Sequence, residues 1–196
     1  AAEETAQATD TATQPQTADP SVVTTNGIDG WPQASDISST AAIVMETSTN
    51  TVLYSKNADQ ALYPASAVKV MTCLVALENS SLDDTVTFSH DAVYNVEDGS
   101  GNKNAIEEGD TLSVRDCLYL LLMRSSNQAA NALAEHVGGS RDGFVKMMNE
   151  KTAELGCENS HFANPSGLND DTQLTSVYDM ALIASAAYKN DTLLTI

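Results

Sequence analysis

The stretch that most constrains this chain is residues 62–78, Leu-Tyr-Pro-Ala-Ser-Ala-Val-Lys-Val-Met-Thr-Cys-Leu-Val-Ala-Leu-Glu. Pro64 disfavours helical geometry at Tyr63 and has no amide proton to place in a helix interior, so a helix is expected to start near Ser66. Val68, Val70, Met71, Leu74, Val75 and Leu77 leave almost no polar face, the pattern of a helix buried on most sides. Ser66 and Lys69 project from the same side of its first turn, within reach of each other. One reading makes Ser66 a helix cap and Lys69 a solvated residue. The lysine argues against it, because a cation in the first turn opposes the helix dipole at a cost of about 0.3–1 kcal/mol. The same dipole and apolar surroundings favour the neutral amine that a general base requires near pH 7.

The flanking sequence predicts one α+β domain. Residues 1–38 hold few large apolar side chains and many Thr, Ala, Gln and Asp, too little apolar surface to offset the entropy of ordering. They are expected to form a flexible tether, with Trp31 as a loose anchor, ahead of a domain over 39–196. Two β-branched runs, 41–47 and 51–55, flank the polar turn Ser48-Thr49-Asn50 and predict a hairpin. Residues 79–110 read as loop with a brief strand at 85–88. Helices are expected from about Thr111 or Ser113 through Met123, over 128–137 with Gly138-Gly139 as C-cap, over 142–155, and over 176–188.

Charge and cysteine usage exclude several classes. Formal net charge is -18 over 196 residues, so nucleic acid would be repelled. Residues 1–40 carry six acids and no Lys or Arg. Cys73, Cys117 and Cys157 are unevenly spaced and read as free thiols rather than a disulfide framework. The longest apolar run, Cys117 to Met123, is far short of the roughly 20 residues that span a bilayer. A start at Ala-Ala-Glu-Glu followed by low-complexity sequence fits an exported chain after signal removal, with any membrane attachment through a segment outside this sequence. His90, His136 and His161 have no metal-ligand spacing, and Asp83-Asp84 and Glu107-Glu108 lack EF-hand spacing, so no metal or other cofactor is expected.

A second polar group, Ser125-Ser126-Asn127, falls between two apolar helices. Alone, it reads as capping. Together with Ser66-x-x-Lys69 it matches two of three motifs of the penicillin-binding and serine β-lactamase superfamily. Tyr63-Pro64-Ala65-Ser66-Ala67-Val68-Lys69-Val70-Met71, Gly109 to Asp116 leading into Leu121 to Ala130, and His161-Phe162-Ala163-Asn164-Pro165-Ser166-Gly167-Leu168 resemble the D-alanyl-D-alanine carboxypeptidases of peptidase family S11 over roughly residues 40–190.

That resemblance implies a β-lactamase/transpeptidase-like fold, a helical cluster on an antiparallel sheet, and a bacterial extracytoplasmic enzyme acting on peptidoglycan stems that end in D-Ala-D-Ala. It further implies Ser66 as nucleophile, Lys69 as base, Ser125 as proton relay, Asn127 as the residue that holds the substrate amide and orients Lys69, and β-lactams as acylating mimics. The family's third motif, Lys-Thr-Gly or Lys-Ser-Gly on a late strand, is absent: Lys151-Thr152-Ala153 lies mid-helix and lacks the glycine. The chain is therefore expected to be a piece of a longer enzyme with its C-terminal strands missing. A class A β-lactamase would carry Glu-x-x-Leu-Asn, but Pro165 precedes Leu168-Asn169 at that offset and cannot act as a base. A non-catalytic wall-binding module that lost the last strands is the reading from another class.

Overall fold

A computed structural model describes residues 28–30, 37–96 and 106–196. The tether expected over 1–38, and Trp31 with it, falls almost wholly outside the described residues. From Ile37 the chain is tied down: Lys56 Nζ donates to the Ile37 carbonyl (2.6 Å), and Asn57 Nδ2 to that of Thr40 (2.7 Å).

The hairpin forms as the β-branched runs predict. Strands β1 (Ala42–Glu46) and β2 (Thr51–Lys56) pair antiparallel, with an irregularity between Val44 and Met45 that shifts the register. Its turn is clamped by Glu46, whose carboxylate accepts from Thr49 Oγ1 (2.6 Å), both Ser48 donors and the Thr49 amide. These bonds, the Thr49 hydroxyl first, hold the Glu46 carboxyl down at about 2.

A single 3-10 turn, Ala65–Ala67, leads directly into α1 (Val68–Asn79), whose residues 68, 69 and 71–76 are all buried. Helices α3 (Val114–Arg124), α4 (Asn127–Gly138), α5 (Arg141–Glu154) and α6 (Val177–Tyr188) all pack on α1, and β1 lies against α6. Two apolar clusters share α1. One joins Cys73 and Ala76 to Phe88, Leu118, Leu121 and Leu133; the other joins Val68, Met71 and Val75 to Phe144, Met148, Phe162 and Ile183. Burial on two sides is what the nearly continuous apolar sequence of α1 requires.

Three short elements depart from the sequence expectations. Residues 111–113, read as the start of a helix, form β4 (Thr111–Ser113), antiparallel to β3 (Thr85–Thr87), and only Ser113 caps α3, accepting from the Asp116 amide. Helix α2 (His90–Tyr94), capped by Ser89, sits in the segment expected as loop, and α7 (Asp191–Thr195) follows α6. Elements of three to five residues are too short for a hydrophobic period to register, and depend on tertiary contacts for their stability. Cys73 and Cys117 are buried and Cys157 half-buried, all as free thiols, with burial pushing each up to about 12.

Phe144 is fully buried where α5 meets α4, its backbone so close to Gly138 that a side chain there would collide with it. Phe144→Ala is expected to lower stability by about 3–5 kcal/mol, read by urea unfolding; a loss below about 1 kcal/mol would remove it from the core.

Candidate active site

Ser66 lies in the middle of the 3-10 turn and is exposed. It does not cap the helix. The N-cap position of α1 is Ala67, without a side-chain cap, and the Ser66 hydroxyl faces two other side chains. Lys69 Nζ lies 3.1 Å from Ser66 Oγ, and Ser125 Oγ donates to Ser66 Oγ at 3.0 Å. The turn is held in an uncommon conformation, because Ala65, immediately before the serine, has φ +47°. A non-glycine residue there costs about 1–3 kcal/mol and persists only where its surroundings over-determine it. Two contacts do so. Leu62 and Thr175 exchange backbone hydrogen bonds at 2.8 and 2.9 Å, anchoring the approach. Gly167, at φ +86°, presses its backbone on Ala65 and Ser66 so closely that a Cβ would overlap the Ala65 carbonyl.

The junction of α3 and α4 divides its polar work between two serines. Ser126 is the cap of α4 and accepts from the Ala129 amide at 3.2 Å. Ser125, in the left-handed region at φ +52°, is thereby left with a free hydroxyl turned to Ser66. Asn127 is the first residue of α4 and half-buried. The contact to Lys69 that the family resemblance implies for Asn127 is not formed: the amine's hydrogen bonds go to Ser66 and to the backbone carbonyl of Ser166.

Lys69 is 3 % exposed, and no carboxylate among the described residues pairs with it. Burial brings its pKa from the ordinary 10.5 down to about 8. A neutral amine has two hydrogens and one lone pair. With one hydrogen given to the Ser166 carbonyl, the lone pair can accept the Ser66 proton.

The loop that presents that carbonyl escaped the sequence reading as a source of site residues. Asn164 Oδ1 accepts from the amides of Ser166 (3.2 Å) and Gly167 (2.8 Å). Gln173, 2 % exposed, accepts from the amides of Ala163 and Asn164 at 3.1 Å and donates to the Leu168 carbonyl at 3.0 Å. Thr72 Oγ1 donates to the Pro165 carbonyl at 2.6 Å. Contacts of a side chain to a backbone carbonyl more than 90 residues away leave no spacing pattern to read. Beside Ser66 a shallow cleft opens between Tyr63, Pro64 and Ala65 on one wall and Gly167 to Asp170 on the other.

The buried amine has a consequence for stability. Its folded pKa lies below its unfolded one, so holding it charged costs about 3 kcal/mol below pH 8, and that cost fades as pH rises from 8 to 10.5. The stability of Lys69→Met relative to the parent is expected to fall by about that amount between pH 7 and 10.5, measured by denaturant unfolding; a constant difference across the window would show the amine to be fully hydrated.

Comparison with known proteins addresses the whole arrangement. The chain is 36% identical over 156 residues to D-alanyl-D-alanine carboxypeptidase DacF of Bacillus subtilis, covering 78% of this chain and 40% of that protein. To a D-alanyl-D-alanine endopeptidase of Pseudomonas aeruginosa it is 36% identical over 141 residues, 71% of this chain and 44% of the relative. The chain thus spans less than half the length of these two relatives. The crystal structure of D-alanyl-D-alanine carboxypeptidase DacD from Francisella tularensis superposes with a TM-score of 0.73 at 33% identity, over 84% of this chain and 42% of that one. The family model of D-alanyl-D-alanine carboxypeptidase matches residues 29–195. That span takes in the serine turn, the α3–α4 junction and the loop beneath the lysine, and the chain belongs to the D-alanyl-D-alanine carboxypeptidase family.

Proposed function

We propose that this chain carries the nucleophile, base and relay of a serine-type D-Ala-D-Ala carboxypeptidase that acts on peptidoglycan stem peptides. The observation that carries the reading is the hydrogen-bonded line from Ser125 through Ser66 to a buried Lys69 that has no counter-charge among the described residues. An isolated serine is a poor nucleophile, and activation by an adjacent base of lowered pKa is the physical remedy.

In the proposed reaction Lys69 takes the Ser66 proton as Ser66 Oγ bonds to the carbonyl carbon of the penultimate D-Ala. The amide C–N bond then breaks, and the terminal D-Ala leaves with a proton passed from Lys69 by way of Ser125. Water, activated by the same groups, cleaves the Ser66 ester and returns the hydroxyl. Lysine here fills the place of histidine in a serine triad. The Ser66 amide, in the 3-10 turn that leads into α1, ahead of the backbone donors that have no intrahelical acceptor, is one donor to the oxyanion in this reading. Asn127, two residues beyond Ser125 at the start of α4, holds the substrate amide in this reading. A β-lactam, as a mimic of the D-Ala-D-Ala ending, acylates the same serine.

An extracytoplasmic site of action goes with such a substrate and with the bacterial relatives. Among the described residues, no helix is long and apolar enough to cross a membrane.

A fluorescent penicillin is expected to label the protein covalently at Ser66. Ser66→Ala should abolish the label, and retained labelling in that variant would remove the serine from its role. The acylation rate should climb with pH through a midpoint near 8, where the Lys69 amine loses its proton. Lys69→Ala should slow acylation by at least about 100-fold and flatten that limb. Release of D-Ala from a D-Ala-D-Ala peptide, set against cleavage of a cross-linked stem dimer, separates a carboxypeptidase from an endopeptidase.

A further inference from the structure

Thr72 is fully buried one turn beyond Lys69, on the same face of α1. The two side chains reach successive carbonyls of one loop: Thr72 Oγ1 donates to Pro165 O at 2.6 Å, and Lys69 Nζ to Ser166 O. Asn164 Oδ1 takes the amides of the same two peptide planes, Ser166 N at 3.2 Å and Gly167 N at 2.8 Å. Each plane is thus held at both its ends. Helix α1 supplies the two donors, and Asn164 the one acceptor.

The orientation of the Ser166 carbonyl decides which way the lysine lone pair points. Were the Pro165–Ser166 peptide free to rotate, the next carbonyl would tip with it, and Lys69 would have no fixed acceptor for its N–H. Proline contributes from the loop side, since its ring fixes φ and leaves rotation about ψ as the freedom to be removed. The β-branched threonine contributes from the helix side, since few χ1 rotamers are open to it in a helix and the one adopted aims its hydroxyl at the Pro165 carbonyl. No charged group of α3, α4, α5 or α6 among the described residues pairs with Lys69, so the carbonyl is the contact that orients the amine away from Ser66.

We propose that Thr72 is a positioning residue, whose hydroxyl locks the Pro165–Ser166 peptide so that the Ser166 carbonyl occupies one N–H of Lys69 and leaves the lone pair facing the Ser66 hydroxyl. The proposal rests on Ser66 and Lys69 acting as nucleophile and base. It adds to Ser66, in the turn before α1, and Lys69, within it, a third residue three positions beyond the lysine that touches no substrate.

The test compares Thr72→Val, which keeps the shape and deletes the hydroxyl, with Thr72→Ser, which keeps the hydroxyl. Acylation by a fluorescent penicillin is followed from pH 6 to 10, and the Lys69 amine is titrated directly by NMR of 13Cε-labelled lysine. In Thr72→Val the orphaned Pro165 carbonyl turns to find water, the amine becomes hydrated, and its protonated form is favoured. Acylation at pH 7 should fall at least about tenfold, and both the kinetic limb and the NMR midpoint should rise by about one pH unit. Thr72→Ser should stay within about threefold of the parent with both midpoints unmoved. A valine variant with parental rate and midpoints would overturn the proposal, as would a serine variant as slow as the valine one. A slow valine variant with unmoved midpoints would also overturn it, assigning Thr72 to packing alone. Should valine prevent folding, judged by circular dichroism, Thr72→Ala takes its place with the same expected shifts. If the parent is not labelled at Ser66, the nucleophile assignment falls, while the NMR midpoint still reports whether Thr72 sets the amine.

Discussion

A primary amine buried without a negative partner is the constraint around which the rest of this structure is arranged. Lys69 is enclosed by its own helix and by the loop around Ser166, and its hydrogen-bond partners are a hydroxyl and a carbonyl, both neutral. A carboxylate in that place would hold the amine charged and useless as a base. Burial alone lowers the pKa, and the surroundings bear a cost in stability for it. That cost has to be met elsewhere, and α1 contributes to both apolar clusters of the fold.

Ser66, the proposed nucleophile, is kept in place by a different device. Ser66 precedes the regular part of α1, in a turn whose first residue is forced to positive φ and whose surface is pressed by a glycine backbone from about 100 residues away. Local strain at Ala65 and the close approach of Gly167 meet at one point, and the glycine, free to adopt positive φ, allows that approach. The effect is to present an exposed hydroxyl while the Lys69 amine is buried one turn below. Ser125 completes the line from the opposite side, at a junction where the neighbouring Ser126 takes over the capping duty. A single serine at that break would face both demands at once.

The loop over residues 163–173 does more than connect two elements, since it meets the buried face of α1 at Lys69 and Thr72. Its polar side chains, Asn164 and Gln173, spend their hydrogen bonds on its own backbone, and its outward carbonyls are given to Thr72 and Lys69.

Much of this was legible in the residues. The β-branched runs at 41–47 and 51–55 around a polar turn dictate a hairpin, the apolar continuity of 68–77 dictates a buried helix, and Ser66-x-x-Lys69 with Ser125-x-Asn127 marks the proposed reactive groups, because each depends on neighbours a few positions apart. What the chain alone did not disclose depends on contacts across long separations. The strand at 111–113 exists through pairing with 85–87, the division of labour between Ser125 and Ser126 through the geometry of a helix junction, and the acceptor of the lysine through a backbone carbonyl 97 positions away rather than through Asn127. Local sequence carries propensity and period, whereas a carbonyl is the same in every residue. Only the folded chain decides which one is turned toward the base.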